Sequence, residues 1–127
     1  MRLVTYGAAA AIAAALGLSL TPAAAAPDAA AGQVLFGHKC AICHAPVQGQ
    51  NKIGPSLWNV VGRKAGSLPG YAYSDAMRNA NRVWNEDTLS DYLTNPRAKI
   101  PGVKMIFAGL PDESDRQNVI AYLATLK

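Results

Sequence analysis

Charge, aromatic side chains and cysteine are all scarce in this chain of 127 residues. Charged residues make up 16% of it and aromatic residues 7%, with two cysteines and two histidines. No run of lysine and arginine is interleaved with aromatic residues, which excludes the usual pattern of a nucleic-acid-binding protein. No segment alternates strictly between apolar and polar residues, so no strand is predicted. The pattern favours an all-α domain.

Both cysteines lie in one pentapeptide, Cys40-Ala41-Ile42-Cys43-His44. Cys-x-x-Cys-His is the pattern to which a c-type haem is attached. Each thiol adds to one vinyl group of the porphyrin, and the adjacent histidine ligates the iron from one face. Two intervening residues let one helical turn present both sulfurs to the same ring edge. The pentapeptide therefore predicts one covalent haem c, attached at Cys40 and Cys43 and ligated by His44.

Three other interpretations of the same cysteines stay open at this point. A thioredoxin-like dithiol needs alternating strands and helices, which the sequence does not indicate. A structural disulfide between residues so close closes only a small loop and stabilises little. A zinc site could use His38, Cys40, Cys43 and His44, but structural zinc sites usually take two ligands from a second segment. No second cluster of cysteine and histidine exists in the sequence.

The N-terminus has the pattern of an export leader. Arg2 precedes a long run of apolar and small residues that ends in repeated alanines. This predicts a secretory signal peptide over residues 1–26, cleaved near residues 24–26, and a mature domain over residues 27–127 in the periplasm. The alternative is an uncleaved membrane anchor, for which Leu3–Leu20 has the minimum length.

Helical periodicity and caps divide the mature region into few elements. A first helix starts at Asp28 and runs into Cys40, and a second spans Ser74–Ala80 with Ser74 as its N-cap. A third covers Asn85–Thr94, and Pro111-Asp112 opens the last one. The glycine- and proline-rich stretch between the first two helices predicts a long loop that wraps a ligand.

The sixth position on the haem iron has few candidates. Besides the initiator, the methionines are Met77 and Met105, and the other histidine is His38. His38 is only two residues from Cys40, so its tether is too short to cross the ring easily. Met77 lies in a predicted helix, where methionine usually fills a core. Met105 lies in a stretch pinned by proline and glycine, which suits a loop that holds a thioether against a metal.

The whole mature region resembles class I cytochrome c. Gly32 and Phe36 resemble the helix-contact pair of that family, which packs against the last helix near Val119 and Tyr122. The resemblance implies a fold of a few helices and long loops around one haem. It also implies His44 and Met105 as axial ligands, and further residues beside the haem, namely Pro55, Arg63, Tyr73, Trp84, Tyr92 and Phe107.

Each of those further residues has an implied task. Pro55 offers its carbonyl to His44, while Arg63, Tyr73 and Trp84 hold the inner propionate. A carboxylate buried beside an apolar ring requires such partners. Tyr92 lies beside the axial sulfur, and Phe107 shields the haem edge.

The chain departs from the mitochondrial pattern at a few positions. Met77 stands where those relatives usually have an asparagine that orders a buried water, and Val103 where they have a threonine that bonds a propionate. The loop from His44 to Pro55 is one residue shorter. We expect the drier crevice to disfavour the ferric charge and to raise the reduction potential.

Histidine and methionine together saturate the iron, so the resemblance implies an electron carrier and not an enzyme. The expected partners are redox proteins, such as a cytochrome bc complex, a terminal oxidase or a periplasmic dehydrogenase of a respiratory chain. Lys39, Arg97 and Lys104 are the expected docking residues of a monomer that inserts into no membrane once its leader is cleaved. Loss of Met105 from the iron would open a peroxidase activity. Cysteines paired as a disulfide would leave a structural protein without haem.

Overall fold

The computed structural model describes Leu3 and residues 17–127. Residues 17–28 form no regular secondary structure. The remainder of the predicted export leader, residues 1–2 and 4–16, lies outside the described residues. Among those that are described, no helix is both long enough and apolar enough to cross a bilayer.

Five helices and no strand form within the described part of the chain. One isolated antiparallel bridge joins Lys64 to Val83. The all-α prediction is therefore confirmed. In chain order the helices are α1 (Ala29–Lys39), α2 (Asp75–Arg78), α3 (Glu86–Thr94), α4 (Pro96–Lys99) and α5 (Glu113–Ala124).

Polar caps explain where the helices begin. Asp28, Ser74, Asn85 and Asp112 each accept a backbone N–H from the first turn of the helix that follows. Such a bond satisfies a donor that has no partner inside the helix. The predicted starts of α1, α2, α3 and α5 are confirmed.

Two details of the helices differ from the sequence prediction. Helix α2 ends at Arg78, two residues earlier than expected, and the chain turns at Asn81, where φ is +50°. Helix α4 was not predicted at all. Pro96 does end α3, but it also occupies the first turn of α4, where a missing N–H costs nothing.

The two terminal helices, α1 and α5, pack closely because Gly32 lacks a side chain. A Cβ built at Gly32 would lie 1.9 Å from the carbonyl oxygen of Asn118 on α5. One turn later, the rings of Phe36 and Tyr122 meet edge to face with centroids 5.3 Å apart. Val119 is 1% exposed at this contact. The helix-contact pair expected from the resemblance is therefore present.

The buried core joins these helices to the long loops. It brings α1, α3 and α5 together with side chains of the stretches between them. Its large members are Phe36, Val60, Trp84, Leu89, Tyr92, Ile100, Leu110, Val119, Ile120, Leu123 and Leu126. Cys40, Met77, Met105 and Phe107 are half-buried and pack against it. The core therefore borders the residues that were expected to surround the haem.

Candidate haem site

The pentapeptide forms one helical turn at the end of α1. Cys40 ends that helix, with its N–H bonded to the Phe36 carbonyl. The N–H groups of Cys43 and His44 then donate to the Cys40 carbonyl at 3.0 and 2.9 Å. This turn places both thiols and the imidazole together, as the spacing predicts.

Both cysteines are free and half-buried. Burial, and secondly the neighbouring Cys43, raises the pKa of the Cys40 thiol to about 11. The free thiol is therefore protonated at physiological pH.

The structure answers the three alternative interpretations of the cysteines. With no strand in the described residues, the thioredoxin-like fold is excluded. The free thiols are at variance with a disulfide. No group of three or more histidine, cysteine, aspartate or glutamate side chains is placed to hold a metal ion in the part of the chain described here.

The imidazole of His44 is held by the loop that follows it. Its Nδ1 lies 2.8 Å from the Pro55 carbonyl oxygen, to which it donates as the neutral tautomer, and this leaves Nε2 to face a metal. Burial lowers the pKa of His44 and the Pro55 bond opposes this, while the charges of Arg63 and Lys52 lower it further. Burial is the largest of these effects, so the neutral, ligating form is favoured.

Gly54 sets the distance between the imidazole and this loop. A Cβ there would lie 2.3 Å from Cε1 of His44. The Gly54 N–H also donates to the Cys43 carbonyl at 2.8 Å. The absence of a side chain therefore lets the loop pack directly against the ring.

The Met105 loop, residues 100–110, connects α4 to the segment before α5. Along its middle, burial alternates: Val103, Met105 and Phe107 are half-buried, whereas Lys104 and Ile106 are exposed. Ile106 is 91% exposed. Met105 and Phe107 thus share the inward face of an extended stretch, packed against the core.

Arg63 is linked to Trp84 through the main chain and lies close enough to Tyr73 to be affected by it. The Trp84 N–H donates to the Arg63 carbonyl at 2.9 Å, and the Leu68 N–H donates to the Tyr73 hydroxyl at 3.3 Å. A cavity of about 400 Å³ is lined by Arg63 and Leu68 but not by Tyr73 or Trp84. Burial lowers the pKa of Arg63, and the proximity of Tyr73 opposes it.

The guanidinium of Arg63 is half-buried and bonds only to main-chain oxygens. It donates to the carbonyls of Ser56 at 3.0 Å and Trp58 at 3.3 Å. Within the described residues it has no carboxylate partner. A half-buried cation of this kind suits an anionic group supplied from outside the chain.

Tyr92 is buried against Trp84, with ring centroids 5.0 Å apart. Burial raises the pKa of Tyr92 to about 12. The hydroxyl therefore keeps its proton across the physiological range and can act as a hydrogen-bond donor.

The three expected docking residues are all exposed. Lys39 ends α1, Arg97 lies in α4 and Lys104 in the Met105 loop. The Lys104 ammonium also donates to the Ala72 carbonyl at 3.0 Å. Lys104 therefore ties the Met105 loop to the opposite stretch as well as carrying charge.

Two residues near the pentapeptide were missed by the sequence analysis. The Lys52 ammonium donates to the Ala41 carbonyl, and the Tyr71 hydroxyl donates to the Ile53 carbonyl at 2.7 Å. The first bond holds the loop that bears Gly54 and Pro55 against the pentapeptide, and the second holds the same loop against the stretch that bears Tyr71. No motif predicts them, because each joins a side chain to a distant main-chain oxygen.

The residues present fit a haem. Two unpaired thiols share a helical turn with an imidazole whose Nε2 is free, and Arg63 supplies a half-buried cation for a propionate. This combination defines the class of single-haem c-type proteins.

Comparison with known proteins gives the same result. The family model described as cytochrome c matches residues 29–127. Cytochrome c2 of Rhodoblastus acidophilus is 50% identical over 101 residues, covering 79% of this chain and 94% of its own. Cytochrome c of Euglena viridis is 46% identical over 100 residues, which cover 79% of this chain and 98% of that protein. The solved structure of cytochrome cH from Methylobacterium extorquens matches this one with a TM-score of 0.73 and 42% sequence identity. The match covers 77% of this chain and 98% of that chain.

The chain therefore belongs to the cytochrome c family. It binds one haem c covalently, through the pentapeptide that bears Cys40 and Cys43. It is an electron carrier and not an enzyme, as members of this family are.

Proposed function

We propose that this cytochrome is exported and shuttles single electrons between redox proteins, with His44 and Met105 as axial ligands of the haem iron. The observation that carries the proposal is the 2.8 Å bond between His44 Nδ1 and the Pro55 oxygen, on the same turn as the two free thiols. It fixes the tautomer and aims Nε2 at the metal. Met105 lies on the inward face of its loop, where it can close the opposite side.

The haem supplies an iron that changes oxidation state by one electron. The side chains around the haem would prevent other reactions at the iron. The His44 imidazole and the Met105 thioether would hold the iron and leave no position for a substrate, and the soft sulfur would raise the reduction potential. Tyr92 would stand beside the sulfur as a hydrogen-bond donor, and Phe107 would shield the haem edge.

Arg63, Tyr73 and Trp84 bind the inner propionate in this proposal. Two hydrogen-bond donors and one cation offset the cost of placing a carboxylate beside an apolar ring. The convergence of Arg63 and Tyr73 at the Leu68 stretch supports it. The Trp84 ring is buried, and its main chain is paired with Arg63.

The axial assignment is tested on the two methionines. The ferric protein should show the absorption band near the red end of the visible spectrum that reports sulfur ligation. Met105→Ala should abolish this band and lower the potential by more than about 59 mV, a tenfold change in a one-electron equilibrium. Met77→Leu, the matched control, should keep the band. Loss of the band in Met77→Leu with its retention in Met105→Ala would reverse the assignment.

Docking is proposed at the exposed Lys39, Arg97 and Lys104, on a protein in which basic side chains outnumber acidic ones even after Arg2 is lost with the leader. The partners would be a cytochrome bc complex, a terminal oxidase or a periplasmic dehydrogenase. Complementary charge acts mainly on the association rate of such small, short-lived complexes. Oxidation by partner-containing membranes should slow as salt rises, and slow further in Lys39→Gln but not in the control Lys64→Gln. Rates independent of salt would contradict steering.

Export to the periplasm is supported by the leader pattern of residues 1–26. An intact mass of the purified protein reports the mature N-terminus and the haem addition together. A mass that begins within residues 24–27 and includes one haem is expected. A mass that includes residues 1–26 would favour the uncleaved anchor over Leu3–Leu20.

A further inference from the structure

The Met105 loop is fastened to helix α3 at both of its ends. At the C-terminal end, the Leu110 N–H donates to the Leu93 carbonyl at 2.7 Å. Arg116 reinforces this end: its guanidinium bonds the Leu110 and Pro111 carbonyls, each at 2.8 Å, and the Ser90 hydroxyl at 3.2 Å. The bonds to Leu110 and Pro111 use main-chain groups, whereas the Ser90 bond ties the Arg116 side chain to α3.

The N-terminal end is fastened differently, by charge. Asp91 on α3 receives Arg82 Nη1 at 3.0 Å on one carboxylate oxygen and Lys99 Nζ at 2.6 Å on the other. Arg82 Nη2 also lies 3.5 Å from the Lys99 carbonyl oxygen. We call these three residues the Asp91 network.

The Asp91 network joins three segments, namely α3, the end of α4 and the stretch that bears Arg82. A second side-chain bond, from the Thr88 hydroxyl to the Val83 carbonyl at 2.7 Å, also links α3 to that stretch, but within the described residues it does not involve Lys99 or the loop. Lys99 is the last residue of α4 and directly precedes the loop. The main chain of Arg82 is fixed in turn, because its carbonyl accepts the Ala65 N–H at 2.7 Å. The loop's first residue is therefore tied through Lys99 to α3 and to the stretch that leads to Trp84.

Solvent limits what the network can contribute to global stability. The Asp91 side chain is 42% exposed, and exposed ion pairs are weak. Lys99 and Arg82, through their hydrogen bonds, lower the pKa of Asp91, so the carboxylate is charged at neutral pH. An interaction of this size matters little to unfolding of the whole domain, but it matters to local opening of a loop.

We propose that the Asp91 network positions Met105, by holding the N-terminal end of its loop against α3 and so restricting release of the thioether from the iron. The inference rests on the proposed ligation by Met105. It makes Arg82, Asp91 and Lys99 positioning residues, since none of them is proposed to touch the haem.

The test measures replacement of the thioether by added imidazole in the ferric holoprotein. Imidazole binds only when Met105 leaves the iron, so its apparent affinity reports loop opening. Asp91→Asn and Lys99→Met should each increase that affinity by about two- to fivefold, the range of a single exposed ion pair. Their double variant should show less than the product of the two single effects.

Asp75→Asn is the matched control. It breaks an exposed ion pair outside the network, between Asp75 and Arg78, whose partners both lie in α2. Imidazole affinity at the parent value in Asp75→Asn supports the proposal. An equal rise in Asp75→Asn and Asp91→Asn would overturn it.

Two further readings separate the possible failures. Far-ultraviolet circular dichroism should give nearly equal unfolding midpoints for Asp91→Asn and Asp75→Asn, and a shift in midpoint without a shift in imidazole affinity would reduce the network to a structural role. If the parent ferric protein lacked the sulfur band, the proposed ligation itself would be wrong and this inference would fall with it. If the parent shows the sulfur band but Asp91→Asn binds imidazole with the affinity of the parent, this inference is wrong and the proposed ligation by Met105 stands.

Discussion

The histidine side and the methionine side of the haem site are built in different ways. His44 directly follows the two haem attachment points, Cys40 and Cys43, and is held by Gly54 and Pro55, which lie eleven residues or fewer away along the chain. The Met105 loop has no covalent attachment. It is held by residues of α3, α4 and α5 and by the distant stretches that bear Ala72 and Arg82. Local contacts and covalent bonds survive small openings of a domain, whereas fastenings between distant segments are lost first. The bond between Met105 and the iron is therefore the one that we expect denaturants or mutations to break first.

Gly109→Ala should have the largest effect and should act on the methionine side. Gly109 has φ +102°, and a Cβ there would lie 2.2 Å from the Thr94 carbonyl oxygen. The positive φ strains the backbone of an alanine, and its Cβ clashes with main chain that cannot move. The two effects together should lower the free energy of unfolding by about 3–5 kcal/mol. Guanidinium unfolding, followed by circular dichroism, measures this loss.

Gly102→Ala is the control within the same loop. It shares the positive φ, at +93°, but its Cβ would meet only the Ala76 Cβ at 3.2 Å. Backbone strain alone should lower the free energy of unfolding by about 1–2 kcal/mol. Equal losses for both variants would show that the close approach to Thr94 contributes nothing.

Gly54→Ala should have an intermediate effect and should act on the histidine side. The added methyl group displaces the His44 ring or the loop, at a cost of about 1–3 kcal/mol. Haem-stained yield and the unfolding midpoint should both fall. Gly37→Ala is the control, since a Cβ at this helical position meets nothing within 4 Å and should stabilise by about 0.5–1 kcal/mol. A Gly54→Ala protein as stable as the parent would mean that the imidazole is less tightly held than the geometry indicates.

Met77→Asn should have the smallest effect and should change the crevice without touching either ligand. Met77 is half-buried against the core. The polar amide of an asparagine at this position would stabilise the positive charge of the ferric haem. The potential should fall, by less than the roughly 59 mV of a tenfold change. A redox titration in which this variant equals or exceeds the parent would contradict the drier-crevice hypothesis.

The same contrast explains what the sequence could predict. The histidine side was predictable because its geometry follows from spacing: two cysteines and a histidine on one turn require no knowledge of distant segments. Four helix starts were predictable for the same reason, since a cap acts within its own first turn.

The methionine side was predictable only in part. Proline, glycine and the resemblance pointed to Met105, but nothing along the chain connects Asp91 with Arg82, or Arg116 with the Leu110 carbonyl. Helix α4 was missed because Pro96 indicates an end as well as a start. Contacts of this kind depend on how segments meet in space, which periodicity does not encode.

The most direct test of this difference between the two sides is a guanidinium titration of the ferric holoprotein with two probes in the same samples. One probe is the red-end absorption band, which reports the bond to Met105, and the other is the helical circular dichroism. We predict that the band disappears at lower guanidinium than the helical signal does, and at still lower guanidinium in Asp91→Asn. Coincident loss of both signals in both proteins would contradict the account.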